Sequence, residues 1–155
     1  MRKILILDLD GTLFDISIRS EKCQKISKNR KEFWNCFQSN AFMDLDTPKV
    51  NIINYARSLI DENTIIIILS GRSQKQLERT LEQLNNINLT PHEIYLRGER
   101  DFRKDYEFKA DIISQLINKY NDNIKEIIMI DDSDDVLNYV SVKFPNIKLV
   151  DAKTL

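Results

Sequence analysis

Residues 3–12 read Lys3-Ile4-Leu5-Ile6-Leu7-Asp8-Leu9-Asp10-Gly11-Thr12. Large apolar residues without alternation predict a strand buried on both faces, and the acids that follow mark where it surfaces. The pattern recurs along the chain. Thr64 to Leu69 is a β-branched run closed by Ser70-Gly71, Glu93 to Leu96 is a short strand before Arg97, and Glu126 to Ile130 is stopped by Asp131-Asp132. Ile147 to Val150 makes a fifth strand. Between them, apolar residues recur at helical spacing. Val50, Ile53, Ala56, Leu59 and Ile60 mark a helix over 49–61, and Leu77, Leu81 and Leu84 mark one over 74–86. Phe108, Ile112, Ile113, Leu116, Ile117 and Tyr120 mark a long one, and Val136, Leu137 and Val140 a last one. Strands alternating with helices predict an α/β fold: three layers around a Rossmann-like, parallel five-stranded sheet.

Residues 15–48 break the alternation, being too long for a plain loop. They hold Cys23, Ile26, Phe33, Trp34 and Phe37 among many charges, and read as a small helical cap inserted after the first strand. The whole of 1–155 reads as one domain, a usual domain length. Hydrophobic residues at 42% with charged residues at 30% place it among globular chains. The longest apolar run, Ile65 to Leu69, is far too short to span a bilayer, and Asp8 and Asp10 interrupt any resemblance to a signal peptide. A cytoplasmic protein with no membrane partner is the expectation. Cys23 and Cys36 are expected as reduced, structural thiols. His92 is the only histidine, which excludes mechanisms that need two; it is expected at the surface. The net charge of −1 gives no overall preference for a polyanion. Two basic clusters stand out: Arg19, Lys22, Lys25, Lys28, Arg30 and Lys31, and then Arg97, Arg100, Arg103 and Lys104. Each is consistent with a solvated face, and the aromatics Tyr95, Phe102, Tyr106, Phe33, Trp34 and Phe37 are expected mainly in packing.

In a parallel sheet, ligands bind beyond the carboxyl ends of the strands. Those ends carry Asp8 and Asp10, Ser70-Gly71-Arg72, Arg97, and Asp131-Asp132. Residues two apart on a strand point the same way, so Asp8 and Asp10 are expected to face each other with a hard divalent cation between them; oxygen ligands favour Mg2+. Gly11 permits a tight turn whose free N–H groups could form an anion nest. Ser70 and the Gly71 N–H suit a phosphate oxygen, and Lys109 suits the charge of a phosphoryl group.

Taken in order, Asp8-Leu9-Asp10-Gly11-Thr12, Ser70-Gly71-Arg72, Lys109 and Asp131-Asp132 resemble the motifs of the haloacid dehalogenase superfamily. The stretch Arg97-Gly98-Glu99-Arg100-Asp101-Phe102-Arg103-Lys104-Asp105 before Lys109 is similar to that of the 3′-phosphatase domain of phage polynucleotide kinase-phosphatase. The resemblance implies a Mg2+-dependent phosphatase with Asp8 as nucleophile, Asp10 as general acid/base and Lys109 as charge partner. It implies a metal held by Asp8, the Asp10 carbonyl and Asp132, supported by Asp131. Phosphate would lie on Leu9, Asp10, Ser70, Gly71 and Lys109, and substrate on Arg72, Arg97, Arg100, Asp101 and Arg103. Substrates would be DNA or RNA 3′ ends or nucleotides. No Gly-x-x-x-x-Gly-Lys-Ser/Thr loop is present, so phosphorylation and joining would fall to a separate kinase or ligase. Asp134 and Asp135 add negative charge that disfavours a polyanion. The competing readings are a phosphatase of a small phosphorylated metabolite, a phosphomutase, and a non-catalytic binding module on the same fold.

Overall fold

A computed structural model describes all residues, 1–155. The central strand β1 (Arg2–Leu7) lies between β4 (Thr64–Ser73) and β6 (Ile124–Asp131). The outer strands are β5 (Glu93–Arg97) and β7 (Lys148–Asp151), giving the order β5-β4-β1-β6-β7 with every pairing parallel. The uninterrupted apolar run of β1 fits this place, because alternate residues enter different cores. Leu5 and Leu7 face one core with Ile66, Ile68, Ile128 and Ile130. There they meet α3 (Val50–Ser58), through Ile52, Ile53 and Ala56, and α4 (Leu77–Asn86), through Leu84. Ile4 and Ile6 face the other with Ile65, Ile67, Ile127 and Met129, under α5 (Asp105–Tyr120) and α6 (Asp134–Lys143). Burying each such side chain is worth about 1.5–3 kcal/mol, so both layers are held from one strand.

Register then places the chemistry. Leu7 pairs with Ile68 on one side and Ile130 on the other, so Asp8, the residues after Ile68, and Asp131 emerge together. The chain passes from β1 to β4 and β5 on one side, and only afterwards to β6 and β7 on the other. The end of β1 is therefore the switch point of the sheet. Strand β4 runs further than its apolar stretch foretells, through Gly71 to Ser73, with a register shift between Leu69 and Ser73.

The insert leaves and returns through a two-residue antiparallel stem, β2 (Phe14–Asp15) against β3 (Thr47–Pro48). It contains α1 (Ser17–Ile26) and α2 (Arg30–Phe37), the latter capped by the Asn29 side chain accepting from the Glu32 N–H. Only Arg19 and Cys23 of α1 are buried, one turn apart on one face. Three expectations fail here. Cys23 and Cys36 are joined by a disulfide, with Cα atoms 5.6 Å apart, instead of being free thiols. Two cysteines carry no sign of pairing until α1 and α2 are known to lie side by side. Arg19 is buried, not part of a solvated basic face. Phe33, Trp34 and Phe37 belong to neither core cluster. His92 lies exposed, as expected, though it is knitted to the edge of the sheet: its Nδ1 accepts from the Ile66 N–H and its own N–H donates to the Ile66 carbonyl. No helix is long and apolar enough to cross a membrane.

Closing a loop of this length with a disulfide is worth about 3 kcal/mol. We expect Cys23→Ser/Cys36→Ser to lower stability by about that amount in non-reducing denaturation, and dithiothreitol to destabilise the parent but not the variant. At the sheet edge, Glu93 accepts from Tyr95 and Tyr120 and pairs with Lys119. Burial would raise its carboxyl, but these bonds outweigh it and hold the group below its ordinary value. A depressed carboxyl stabilises above its unfolded pKa and loses the contribution as pH falls through the folded one. Glu93→Gln is therefore expected to lose about 1 kcal/mol at neutral pH. Urea titrations should show the deficit shrinking below about pH 4.

Candidate active site

Asp8 is the first residue past β1, is buried, and has four polar neighbours. Lys109 donates to its Oδ1 at 3.0 Å, the Thr12 hydroxyl donates to its Oδ2 at 2.9 Å, and its carboxylate lies in a group with those of Asp131 and Asp132. One ligand oxygen from each of these three acids fits within a 4.8 Å span. Lys109 comes from the buried face of α5 and also donates to Asp131 Oδ2 at 2.8 Å. Asp105, one turn earlier, stands 3.4 Å from the same ammonium. Burial works against the Lys109 charge, but Asp8, Asp131 and Asp105 hold it above its usual range. Burial and the neighbouring Asp131 raise the Asp8 carboxyl despite Lys109. Burial likewise raises Asp131, against the pull of Lys109.

Two glycines permit this density. Gly11 has a positive φ of 80°, and a Cβ there would sit 2.2 Å from Asp132 Oδ2. At Gly71 a Cβ would lie 2.5 Å from Asp105 Oδ1. Any side chain at either position would displace an acid from the site.

The Asp10 carboxylate does not join the group formed by Asp8, Asp131 and Asp132. The strand has ended, and the Leu9 carbonyl accepts from the N–H groups of Thr12, Leu13 and Phe14, so alternation no longer applies. The Asp10 carboxylate instead meets two buried guanidinium groups. Arg19 Nη2 reaches its Oδ1 at 2.8 Å, and Arg72 Nε reaches the same oxygen at 2.9 Å. Asp46, from the end of the insert, accepts from Arg19 at 3.0 Å and Arg72 at 3.4 Å, completing a quartet of two acids and two arginines. Gln83 donates to Asp46, and Thr80 and Gln83 accept from Arg72. Burial raises the Asp46 carboxyl, opposed by Arg19, Gln83 and Arg72. Asp10 Oδ2 is left free of these bonds.

The turn is also built differently from an open nest. The N–H groups of Gly11 and Thr12 donate within it, to Phe14 and Leu9, while those of Leu9 and Asp10 make no backbone bond. Ser70 is buried and its hydroxyl accepts from the Arg72 N–H.

The remaining basic residues are largely internally occupied. Arg97 donates to the Asp101 and Arg103 carbonyls and to Asp105, and lies over the Phe108 ring. Arg103 binds both oxygens of Asp101 and also Asp111. The Arg103 hydrogen bonds hold the Asp101 carboxyl down at about 2. Arg72 serves Asp10 instead of standing free. Arg100 is exposed, and Phe102, beside it, keeps 89% of its surface. Lys153 answers the acidic run after β6 by reaching the Asp132 carbonyl and Asp134.

Charge counting tests whether a metal fits. The Asp10–Asp46–Arg19–Arg72 quartet is neutral. Asp8, Asp131 and Asp132 have only Lys109 among them, which leaves two negative charges, and all the donors are hard oxygens. That set fits a divalent cation of the oxygen-loving kind. Arg19 and Asp46 were not among the sequence candidates. Arg19 lay in a run of lysines that reads as surface, and Asp46 had no motif around it.

A parallel sheet with this carboxylate–lysine cluster at its switch point defines a phosphatase of the haloacid dehalogenase superfamily. The chain belongs to the family of polynucleotide kinase PNKP phosphatase domains, whose model matches residues 2–141. Among curated proteins none matches. Of solved structures, one titled "Structure of the Pnkp1/Rnl/Hen1 RNA repair complex" is similar at a TM-score of 0.69 and 20% identity, over 97% of this chain and 42% of that one. A second, "Structure of Pnkp1/Rnl/Hen1 complex", is similar at 0.65 and 18%, over 97% and 46%. This chain thus spans less than half the length of those two, and the likeness is one of fold.

Arg19→Ala leaves Asp10 and Asp46 short of a buried partner. Such losses cost about 3–5 kcal/mol. We expect a stability loss of about that size in urea denaturation, with phosphatase turnover falling further than the folded fraction does.

Proposed function

We propose that the chain is a Mg2+-dependent phosphomonoesterase that works through an aspartyl phosphate and removes 3′-phosphates from polynucleotide ends. The observation that carries the chemistry is the division of the acids. Asp8 is packed with Lys109 and with Asp131 and Asp132 at the end of β6, while Asp10 is held apart by arginines with one oxygen free. In this reading an Asp8 oxygen attacks phosphorus, and the bond from phosphorus to the ester oxygen breaks. Asp10 gives its proton to that leaving oxygen. A water then attacks the same phosphorus, Asp10 takes its proton, and the bond to Asp8 breaks to release inorganic phosphate. Arg19 and Arg72 aim Asp10 by occupying its other oxygen. Lys109 balances the charge of Asp8 and of the bound phosphoryl group.

Asp8 and Asp132 would hold the metal, with Asp131 as support. Asp131 already accepts from Lys109 and the Ser133 N–H, whereas Asp132 is half-buried with a single side-chain bond, 3.3 Å from the Thr12 hydroxyl. The ion would supply positive charge against the phosphoryl oxygens. The free N–H groups of Leu9 and Asp10, with Ser70 and the Gly71 N–H, are suited to the same oxygens. The insert, fastened over Asp10, would act as the cap.

The substrate rests on the family match and on the segment 97–104. That segment is braced internally by Arg97 and Arg103, is anchored at Asp105 beside the site, and presents Arg100 and Phe102 outward. RNA ends are the favoured substrate because one of the two similar structures is an RNA repair complex. A separate kinase and ligase would complete such a repair.

The test is phosphate release from 3′-phosphorylated and 5′-phosphorylated oligonucleotides, a 3′-mononucleotide and a sugar phosphate. We expect preference for the 3′-phosphorylated strand, abolition by chelator with recovery on Mg2+, and no turnover in Asp8→Asn. Asp10→Asn is expected to lose about 10²–10⁴-fold. Preference for a sugar phosphate would overturn the substrate, and near-full activity of Asp10→Asn would overturn the mechanism.

A further inference from the structure

The insert carries a surface that the reaction at Asp8 does not use. Phe33, Trp34 and Phe37 lie on α2, outside both cores, and pack only on one another among the aromatic rings. Phe33 and Phe37 are nearly parallel with centroids 5.4 Å apart, and Trp34 stands edge-on to both, at 5.3 and 5.8 Å. Trp34 nevertheless keeps 41% of its surface exposed. Beside the rings is a groove of about 430 Å³ lined by Ser27, Lys28, Asn29 and Arg30 together with Phe33 and Trp34. Residues 22–31 include Lys22, Lys25, Lys28, Arg30 and Lys31 and no acid. Of these only Lys25 has an ion-pair partner, Glu21.

The three centroids form a nearly equilateral triangle. The Arg19 guanidinium lies 4.6 Å from the Phe37 ring centre while binding Asp10 at 2.8 Å. Trp34 and Phe33 wall the groove. The ring cluster therefore adjoins both the groove and the side chain that aims the general acid.

We propose that this groove binds single-stranded polynucleotide next to its reacting end, with bases stacked on Trp34 and Phe33 and backbone phosphates against Lys28 and Arg30. Flat apolar faces alternating with unpaired cations match a ligand that itself alternates planar bases with phosphates. An acidic peptide would satisfy the cations and leave the rings bare. A small phosphorylated metabolite carries no succession of bases and phosphates to match the alternation of rings and cations. The inference rests on the polynucleotide reading above and adds to it where the strand lies.

Trp34 is the only tryptophan, so its fluorescence reports on this groove alone. The intact protein would be titrated with oligo-dT and oligo-U ending in 3′-hydroxyls, with inorganic phosphate as control. The same oligonucleotides would be tested as competitors of aryl phosphate hydrolysis. We expect saturable quenching over the concentrations that compete, none from phosphate, and an affinity that falls with salt. Lys28→Ala and Arg30→Ala should each flatten the logarithmic salt slope by about 0.7. Trp34→Ala should weaken competition roughly tenfold, the scale of one lost stacking contact, with aryl phosphate kcat and KM unchanged. Stronger quenching by oligo-U assigns RNA, and by oligo-dT, DNA. Competition without any change in Trp34 emission, and with full competition retained in Trp34→Ala, overturns the groove but leaves the polynucleotide reading standing. If 3′-phosphorylated oligonucleotides are neither hydrolysed nor competitive while aryl phosphate is turned over, both fall together.

Discussion

Everything at the site depends on three carboxylates being held where neighbouring parallel strands end, with a single buried ammonium among them. Asp8 follows β1, Asp131 ends β6, and Asp132 follows it, and the register of the two strands leaves them no freedom to separate. Lys109 reaches Asp8 and Asp131 from the first turns of α5 and prevents the repulsion from unfolding the ends. It cannot neutralise three charges. The two that remain are an attraction for a cation, and the neighbouring acids add to burial, the larger cause, in raising the carboxyls of Asp8 and Asp131. The apolar cores on both faces of β1 supply the stability against which this repulsion is tolerated.

Much of that was legible in the sequence because it follows from local rules. Unbroken apolar runs closed by Asp8, Ser70 and Asp131 gave both the buried parallel sheet and its functional edge, and the helical spacing of Phe108, Ile112 and Leu116 placed Lys109 on a helix passing that edge. What escaped depends on contacts between segments far apart in sequence. The expected Asp8–Asp10 pair assumed that strand alternation continues past Leu7, whereas the Leu9 carbonyl closes a turn that sends Asp10 elsewhere. Arg19 reads as one more surface cation because its partner Asp46 is 27 residues away. The Cys23–Cys36 bridge needed knowledge that α1 and α2 lie side by side. Arg97 and Arg103, read as substrate contacts, spend most of their donors on bracing their own loop, and only Arg100 of the three stands clear of it.

The insert illustrates how a short segment can be ordered with almost no core of its own. Helix α1 buries one arginine and one half-cystine, so hydrophobic burial contributes little to its position. The disulfide joins it to α2, and polar bonds join the pair to the body. Gln76 donates to the Phe37 and Ser39 carbonyls, and Gln83 donates to the Met43 carbonyl and Asp46. Directional bonds of this kind fix orientation more sharply than apolar contact does, at the cost of requiring every partner to be present.

The two sets of acids thus solve different problems by different pairings. In the proposed reaction a nucleophile benefits from a partner charge that can be shared with an incoming phosphoryl group, and Lys109 together with a cation would provide that. A general acid/base has to keep its geometry while its proton comes and goes, so fixed donors suit it better than a mobile ion. The two guanidinium groups bind Asp10 Oδ1 and leave Oδ2 available, as the proposed role would require. Because one guanidinium comes from the insert and the other from β4, the aim of Asp10 is a property of the assembled domain. Docking of α1 through Arg19 and alignment of the proposed proton donor are then a single structural event, so in the proposed mechanism the insert has a place in the chemistry even though no atom of it need touch phosphorus.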